Sequence, residues 1–416
     1  MSDLIKIIFV GDIMCLHEQS AAALKKYGKY NYDEIFDKVA GLFHGSDYVV
    51  GNLETPVAGE GLGYTSTDTV FNTPGDFLDG LKGAGFTFLS TANNHCLDSG
   101  VEGLRNTIDN LKLRGFDSSG TYKTKEESDR IFVKEISGVK FAFLCFTYGT
   151  NSDATKIYLD ETEVWMVDLL KKQDRAPDVV VSPLSLIQRL KGSIPAPVKR
   201  LLRKCLFMPA PKYCPVQPYI IDNVLTSEIG KSEHEPYLNR LAEKIKMAKS
   251  IADIVIVMPH MGGQFNPEPG PYTVHVMEEI VRSGVDLVVG GHAHTPHVCK
   301  CFPNGVIGAY SLGNFCFTPG VGWFFHNALA EYGIVLNTFF DQAQKKLKKV
   351  TFSVTKSVVD EHGYSRCVSI HELINGEMPD EMRKSIISEN ETVVNRFRGT
   401  HGSVDVELEY EFACNV

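Results

Sequence analysis

One unit recurs along this chain and restricts its fold more than any other feature. A short β-branched or aromatic run is followed by a polar cluster and then by a segment with helical spacing. "IKIIFV" leads into Gly11 and Asp12, "DYVV" into Gly51, Asn52 and Glu54, and "FTFLS" into Asn93, Asn94 and His95. The unit returns where "ADIVIVMP" ends at His260, "VDLVVGG" at His292 and "GVIGAYSLG" at Asn314. Between these runs lie helical segments such as "GVEGLRNTIDNLKLRG", whose Leu104, Ile108 and Leu111 share a face and whose Gly115 is a stop. Strands separated by helices need crossover connections, which predicts an α/β fold, a sheet with helices on both faces. Polar residues at the ends of such strands gather along one edge, where ligands bind. The six clusters are therefore expected to meet.

Residues 151–232 break the pattern. They are rich in proline, as in "SIPAPVKRLLRKCLFMPAPKYCPVQP", and read as an irregular, partly helical insertion near the edge of the site, set within a main domain over residues 1–330. Inside the insertion, Val198, Leu201, Leu202, Cys205 and Leu206 fall on one helical face opposite Lys199, Arg200, Arg203 and Lys204. Those four cations are candidates for binding an anionic substrate or touching a membrane surface, although a docked helix with a solvated basic side has the same pattern. Residues 331–416 read as strands and a polar helix that complete a sheet or pack on it.

A net charge of -9 excludes nucleic acid as the main partner, because phosphate-backbone binding needs a basic face. No run reaches the roughly 20 apolar residues of a membrane span, and "MSDLIKIIFVGDIMC" lacks the layout of a signal peptide, so a cytoplasmic location is expected. The 10 cysteines have no framework spacing and read as reduced core thiols, with "CKC" at 299–301 structural rather than a zinc site. Oligomeric state is left open.

Taken alone, each polar cluster is weak: a histidine after a strand is commonly structural, and an aspartate after glycine is commonly a helix cap. Together, Asp12, Glu54, Asn94, His260, His292 and His294 offer oxygen and nitrogen donors that suit Mn, Fe(II) or Zn. In an extended segment, residues two apart share a face, so His292 and His294 in "GGHAH" are expected to point into one pocket. His297 is offset and reads as a supporting or surface residue, and Asn314 as a hydrogen-bonding support. Asp98, three residues past His95, either orients that imidazole or caps the helix beginning near Gly100.

"GDIM", "GNLETPV", "STANNHCLDSG", "VMPHMGG", "VVGGHAHTPH" and "YSLGNF" resemble, in order, the motifs of the CapA family of poly-γ-glutamate capsule biosynthesis proteins, within the calcineurin-like metallophosphoesterase superfamily. The resemblance implies a four-layer α/β/β/α sandwich with two divalent ions at the strand ends. Asp12 and His294 would hold one ion, Asn94, His260 and His292 the other, a carboxylate of "GNLE" would bridge them, and His95 would protonate the leaving group. Such ions lower the pKa of a water and neutralise charge on the reacting centre, which serves phosphoester hydrolysis or attack at a γ-glutamyl amide.

The chain departs from the superfamily pattern twice. Met14 stands where that pattern has histidine, and a thioether is a poor ligand for such ions, so one ion is expected to bind weakly. Asn52 stands where it has aspartate, leaving Glu54 to bridge or Asn52 to serve as a neutral ligand. Three functions fit: a metal-dependent hydrolase of a phosphoester or γ-glutamyl polymer, a nonenzymatic accessory protein of capsule synthesis, and a cytosolic phosphatase or nucleotidase.

Overall fold

The structure, a computed structural model, describes residues 4–66, 69–173, 179–181, 220–230, 234–319, 328–361 and 363–414. Its strands are β1 (Leu4–Ile13), β2 (Tyr48–Leu53), β3 (Phe88–Ser90), β4 (Asp117–Ser119), β5 (Val133–Ile136), β6 (Val139–Thr147), β7 (Val179–Val180), β8 (Ile221–Asp222) and β9 (Ile254–His260). They continue as β10 (Leu287–Val289), β11 (Cys299–Cys301), β12 (Ile307–Ala309), β13 (Asn314–Cys316), β14 (Tyr332–Asp341), β15 (Lys346–Val359), β16 (Ser365–Ser369) and β17 (Tyr410–Glu411). One sheet runs β16-β15-β14-β1-β2-β3-β4, with β13 also on β1 and β17 on β15. A second runs β11-β12-β10-β9-β6-β5, and β7 pairs with β8 apart from both.

The central strands are apolar without interruption because both of their faces are covered. Alternate residues explain the layering. Ile5, Ile7 and Phe9 of β1 meet Phe141, Phe143, Ile254 and Ile256 of the second sheet between the two sheets. Ile8 and Val10 face the opposite way, into a layer with Phe36, Phe77 and Leu81 from the helical segments over the first sheet. Val255 and Val257 do the same on the second sheet, against Leu241 and Ile245 of the helix Glu235–Ile251 and Met277 and Ile280 of the helix Pro271–Arg282. Helix, sheet, sheet and helix make the expected four-layer α/β/β/α sandwich. Each fully buried large side chain contributes about 1.5–3 kcal/mol relative to exposure, so this double use of every central strand is the main source of stability.

The C-terminal segment belongs to the same body. β14 pairs antiparallel with β1 from Leu4↔Asp341 to Val10↔Val335. The helix Asp380–Arg398 puts Ile386, Val393, Val394 and Phe397 into the inter-sheet core.

Cysteine pairing differs in part from expectation. Cys15, Cys96, Cys145, Cys299, Cys316 and Cys367 are free and buried, as expected. Cys301 is instead joined to Cys414, with Cα atoms 5.5 Å apart across 113 residues. The separation hides the pair in the sequence, whereas the fold brings Cys414 beside Cys301 of the edge strand β11. No helix among the described residues is long and apolar enough to cross a membrane. The four basic residues Lys199, Arg200, Arg203 and Lys204 lie outside the described residues.

Candidate metal centre

Parallel pairing delivers the polar strand ends to one rim. β1 aligns Asp12 with Asn52 of β2 and with Asn314 of β13. The close approach of β13 depends on Gly11, where an added Cβ would lie 1.9 Å from the Gly313 carbonyl oxygen. On the second sheet, β9 ends at His260, which bridges to Gly291 beyond β10. Asp12, Glu54, Asn94, His260, His292 and His294 are all buried.

Four donor atoms crowd together at His260 Nε2. Asn94 Oδ1 lies 2.7 Å away, His292 Nδ1 3.0 Å and Glu54 Oε1 3.2 Å. Such donor–donor spacings are those of ligands placed about 2.0–2.2 Å from a common cation. On the other side of Glu54, His294 Nε2 lies 3.6 Å from Oε1, and His294 Nδ1 lies 3.6 Å from Asp12 Oδ2. Asp12, Glu54 and His260 form one group with donors within 4.8 Å of one another, and Glu54, His292 and His294 form another. Glu54 belongs to both.

The buried groups fit a cation because of what they lack. Neither carboxylate oxygen of Glu54 has a hydrogen-bond partner. A buried carboxylate without donors is costly, and a metal ion is the usual compensation. Burial and the neighbouring Glu54 charge push the Asp12 carboxyl up to about 6. Glu54, against the same burial, is drawn down to about 2 by His260 and His294. Burial and the surrounding imidazoles hold His292 well below the ordinary histidine range, leaving it neutral with a lone pair to donate.

The loop carrying His292 and His294 differs from expectation. It is not extended: His292 has φ 84° and His294 φ 54°, both left-handed. The two imidazoles converge through these successive turns, which the His292 N–H secures by donating to Asp12 Oδ2 at 2.9 Å. Such strained non-glycine backbone concentrates at functional sites. His294 Nδ1 lies 2.9 Å from Asn314 Oδ1, so donation to the amide leaves Nε2 free toward Glu54.

The Asn52 amide is hydrogen-bonded at both ends. Its Nδ2 donates to Asp12 Oδ1 at 2.8 Å, and its Oδ1 accepts from Asn93 Nδ2 at 3.2 Å. Met14 packs among Phe71, Phe265 and Phe317. Two of those rings face site histidines, Phe71 with its centroid 4.3 Å from that of His95 and Phe265 5.4 Å from that of His294. His297 is buried, not on the surface; its Nε2 lies 3.1 Å from the Asn266 carbonyl oxygen, and it is absent from both donor groups.

His95 Nδ1 lies 2.7 Å from Asp98 Oδ2, which also accepts the Phe71 N–H at 2.8 Å. Asp98 is therefore engaged with the imidazole, and Ser99 holds the cap position of the helix Gly100–Leu113. Burial works against charge on His95, yet Asp98 outweighs it and raises the imidazole above its ordinary value. Asn151 was not singled out by sequence reasoning: its Oδ1 accepts from Asn94 Nδ2 at 3.1 Å, and its Nδ2 lies 3.3 Å from His95 Nδ1. It sits at the start of the irregular region, and no motif spacing marks it.

Two helix-covered sheets with a buried rim of carboxylate, amide and imidazole donors define the class of protein. The family model described as bacterial capsule synthesis protein PGA_cap matches residues 6–319, and the chain belongs to that family. The PGA biosynthesis protein CapA of Bacillus subtilis (strain 168) is 26% identical over 338 residues, covering 80% of this chain and 69% of that protein. The capsule biosynthesis protein CapA of Bacillus anthracis is 25% identical over 326 residues, covering 78% of this chain; the match spans 62% of that relative's length. Among solved structures, a phosphatase of Mycoplasma pneumoniae aligns over 85% of this chain and 94% of its own, with 14% identity and a TM-score of 0.43.

Proposed function

We propose that this protein is a divalent-metal-dependent hydrolase acting on an anionic substrate, either a phosphoester or a γ-glutamyl polymer. The observation that carries the reading is Glu54, a buried carboxylate with no hydrogen-bond partner that is shared by two groups of donors. Asp12, Asn94, His260, His292 and His294 would hold the ions, with Glu54 common to both donor groups. Bound there, divalent ions of the Mn, Fe or Zn kind would lower the pKa of a water and neutralise charge on the reacting centre. His95 donates a proton to the departing oxygen or nitrogen, Asp98 orients its ring, and Phe71 covers the ring face and keeps bulk water from it. The names of the Bacillus relatives favour a capsule polymer as substrate over a small metabolite.

Metal content and turnover test this reading. Protein purified without added ions is assayed for bound Mn, Fe and Zn, then for hydrolysis of p-nitrophenyl phosphate, an alkyl phosphate and poly-γ-glutamate. His95→Ala is expected to lower turnover of the poor leaving groups by about 10²–10⁴-fold. Equal rates in the two proteins would remove His95 from the chemistry. Met14 favours a second reading, an accessory capsule protein: its thioether occupies a donor position of the superfamily pattern inside an apolar cluster. Absence of both bound ions and turnover would select it.

A further inference from the structure

We propose that Asn151 is a positioning residue that sets the orientation of the amide donor Asn94. The inference rests on the hydrolase reading and extends it to a residue outside every motif. An asparagine presents either oxygen or nitrogen to a given point, and only the oxygen serves a cation. Asn94 Oδ1 faces His260 Nε2 at 2.7 Å, and its Nδ2 donates to Asn151 Oδ1 at 3.1 Å. With Asn151 Oδ1 in that place, rotation of the Asn94 amide would set two oxygens against each other.

The other end of the Asn151 amide lies 3.3 Å from His95 Nδ1, whose hydrogen is directed to Asp98, so the contact with Asn94 is the one that carries the positioning.

The backbone makes the placement firm. β6 ends at Thr147, in register with His260, and the Tyr148 N–H donates to the His260 carbonyl at 2.9 Å. The chain then turns at Asn151, which has φ 49°, a left-handed conformation that asparagine tolerates better than most residues. The Asn151 carbonyl accepts from the N–H groups of Ala154 and Thr155 at 3.0 and 2.9 Å. The side chain is thereby held against Asn94.

Asn151→Gly deletes the amide and keeps the left-handed turn; Asn151→Asp keeps an oxygen for Asn94 and loses the N–H group beside His95. In the full-length protein, Mn²⁺ titration by calorimetry is expected to give a Kd about 10–100-fold higher for Asn151→Gly. Asn151→Asp should bind no more weakly than wild type, because the acceptor that orients Asn94 remains and its added charge attracts the cation.

Wild-type Kd in a folded Asn151→Gly overturns the inference. Protein that binds Mn²⁺ but hydrolyses nothing refutes the hydrolase reading alone, with the Kd comparison still deciding Asn151. Failure of wild type to bind any divalent ion overturns both.

Discussion

A single methyl group at Gly291 should disable the metal centre while leaving the fold in place. Its backbone is not left-handed, so alanine brings no conformational strain. The added Cβ would instead stand 2.7 Å from Asp12 Oδ1 and 3.4 Å from His260 Nδ1. Restoring an ordinary contact of about 3.4 Å requires Asp12 to retreat by roughly 0.7 Å, several times the tolerance of about 0.2 Å on a metal–ligand distance. The carboxylate cannot retreat freely. Its Oδ1 accepts from Asn52 Nδ2 at 2.8 Å and its Oδ2 from the His292 N–H at 2.9 Å, so both bonds must stretch.

Overpacking of this kind costs about 1–3 kcal/mol of stability, which a domain of this size survives. Displacing a ligand and its supports should raise the Kd for Mn²⁺ by about 10–100-fold, equivalent to about 1.4–2.8 kcal/mol. Metal-stripped wild type and Gly291→Ala are compared by calorimetric Mn²⁺ titration, with thermal melts in chelator as the folding control. A folded variant with wild-type affinity would refute the assignment of Asp12 to the centre.

Two further changes test the surroundings. Asp98→Asn removes the carboxylate that orients His95 but keeps an oxygen for the Phe71 N–H, and turnover on alkyl phosphates should fall about 10–100-fold with Mn²⁺ affinity unchanged; an equal loss on p-nitrophenyl phosphate would contradict the role. His297 is held down to about 4 by burial, below its ordinary 6.5, so the folded state binds fewer protons than the unfolded one between those values. Stability is therefore full above about pH 6.5 and declines as pH falls toward 4, by up to about 3 kcal/mol. His297→Gln, which can still donate to the Asn266 carbonyl, should flatten that part of the melting profile; an unchanged acid dependence would exclude His297 as its source.

Much of the donor set was legible because each member lies at or shortly beyond the end of a recognisable strand. Asp12, Glu54, Asn94, His260 and His292 all come at the ends of apolar runs, and parallel strands carry their terminal residues to one rim. The local reading of "GGHAH" reached the correct convergence through the wrong backbone: alternation in an extended chain was expected, and two left-handed histidines achieve it. The reason is that the Asp12 carboxylate, 280 residues away, holds the His292 N–H. Asn52 illustrates the same limit. Its residue type permits a ligand, and only the positions of Asp12 and Asn93 show both ends of its amide already engaged.

By itself the sequence determined the alternation of strands and helices and the inventory of donors, since hydrophobic period and strand-end chemistry are properties of neighbouring residues; the two-sheet layering was what the family resemblance implied. Tertiary structure alone decided which donor faces which. It set Asn151 between Asn94 and His95, made Asp98 a partner of the imidazole instead of a helix cap, placed Met14 in an apolar wall, and joined Cys301 to Cys414. Those outcomes depend on contacts between segments far apart in the chain, and a carboxylate, an amide or a thiol has the same local signature whichever distant partner it meets.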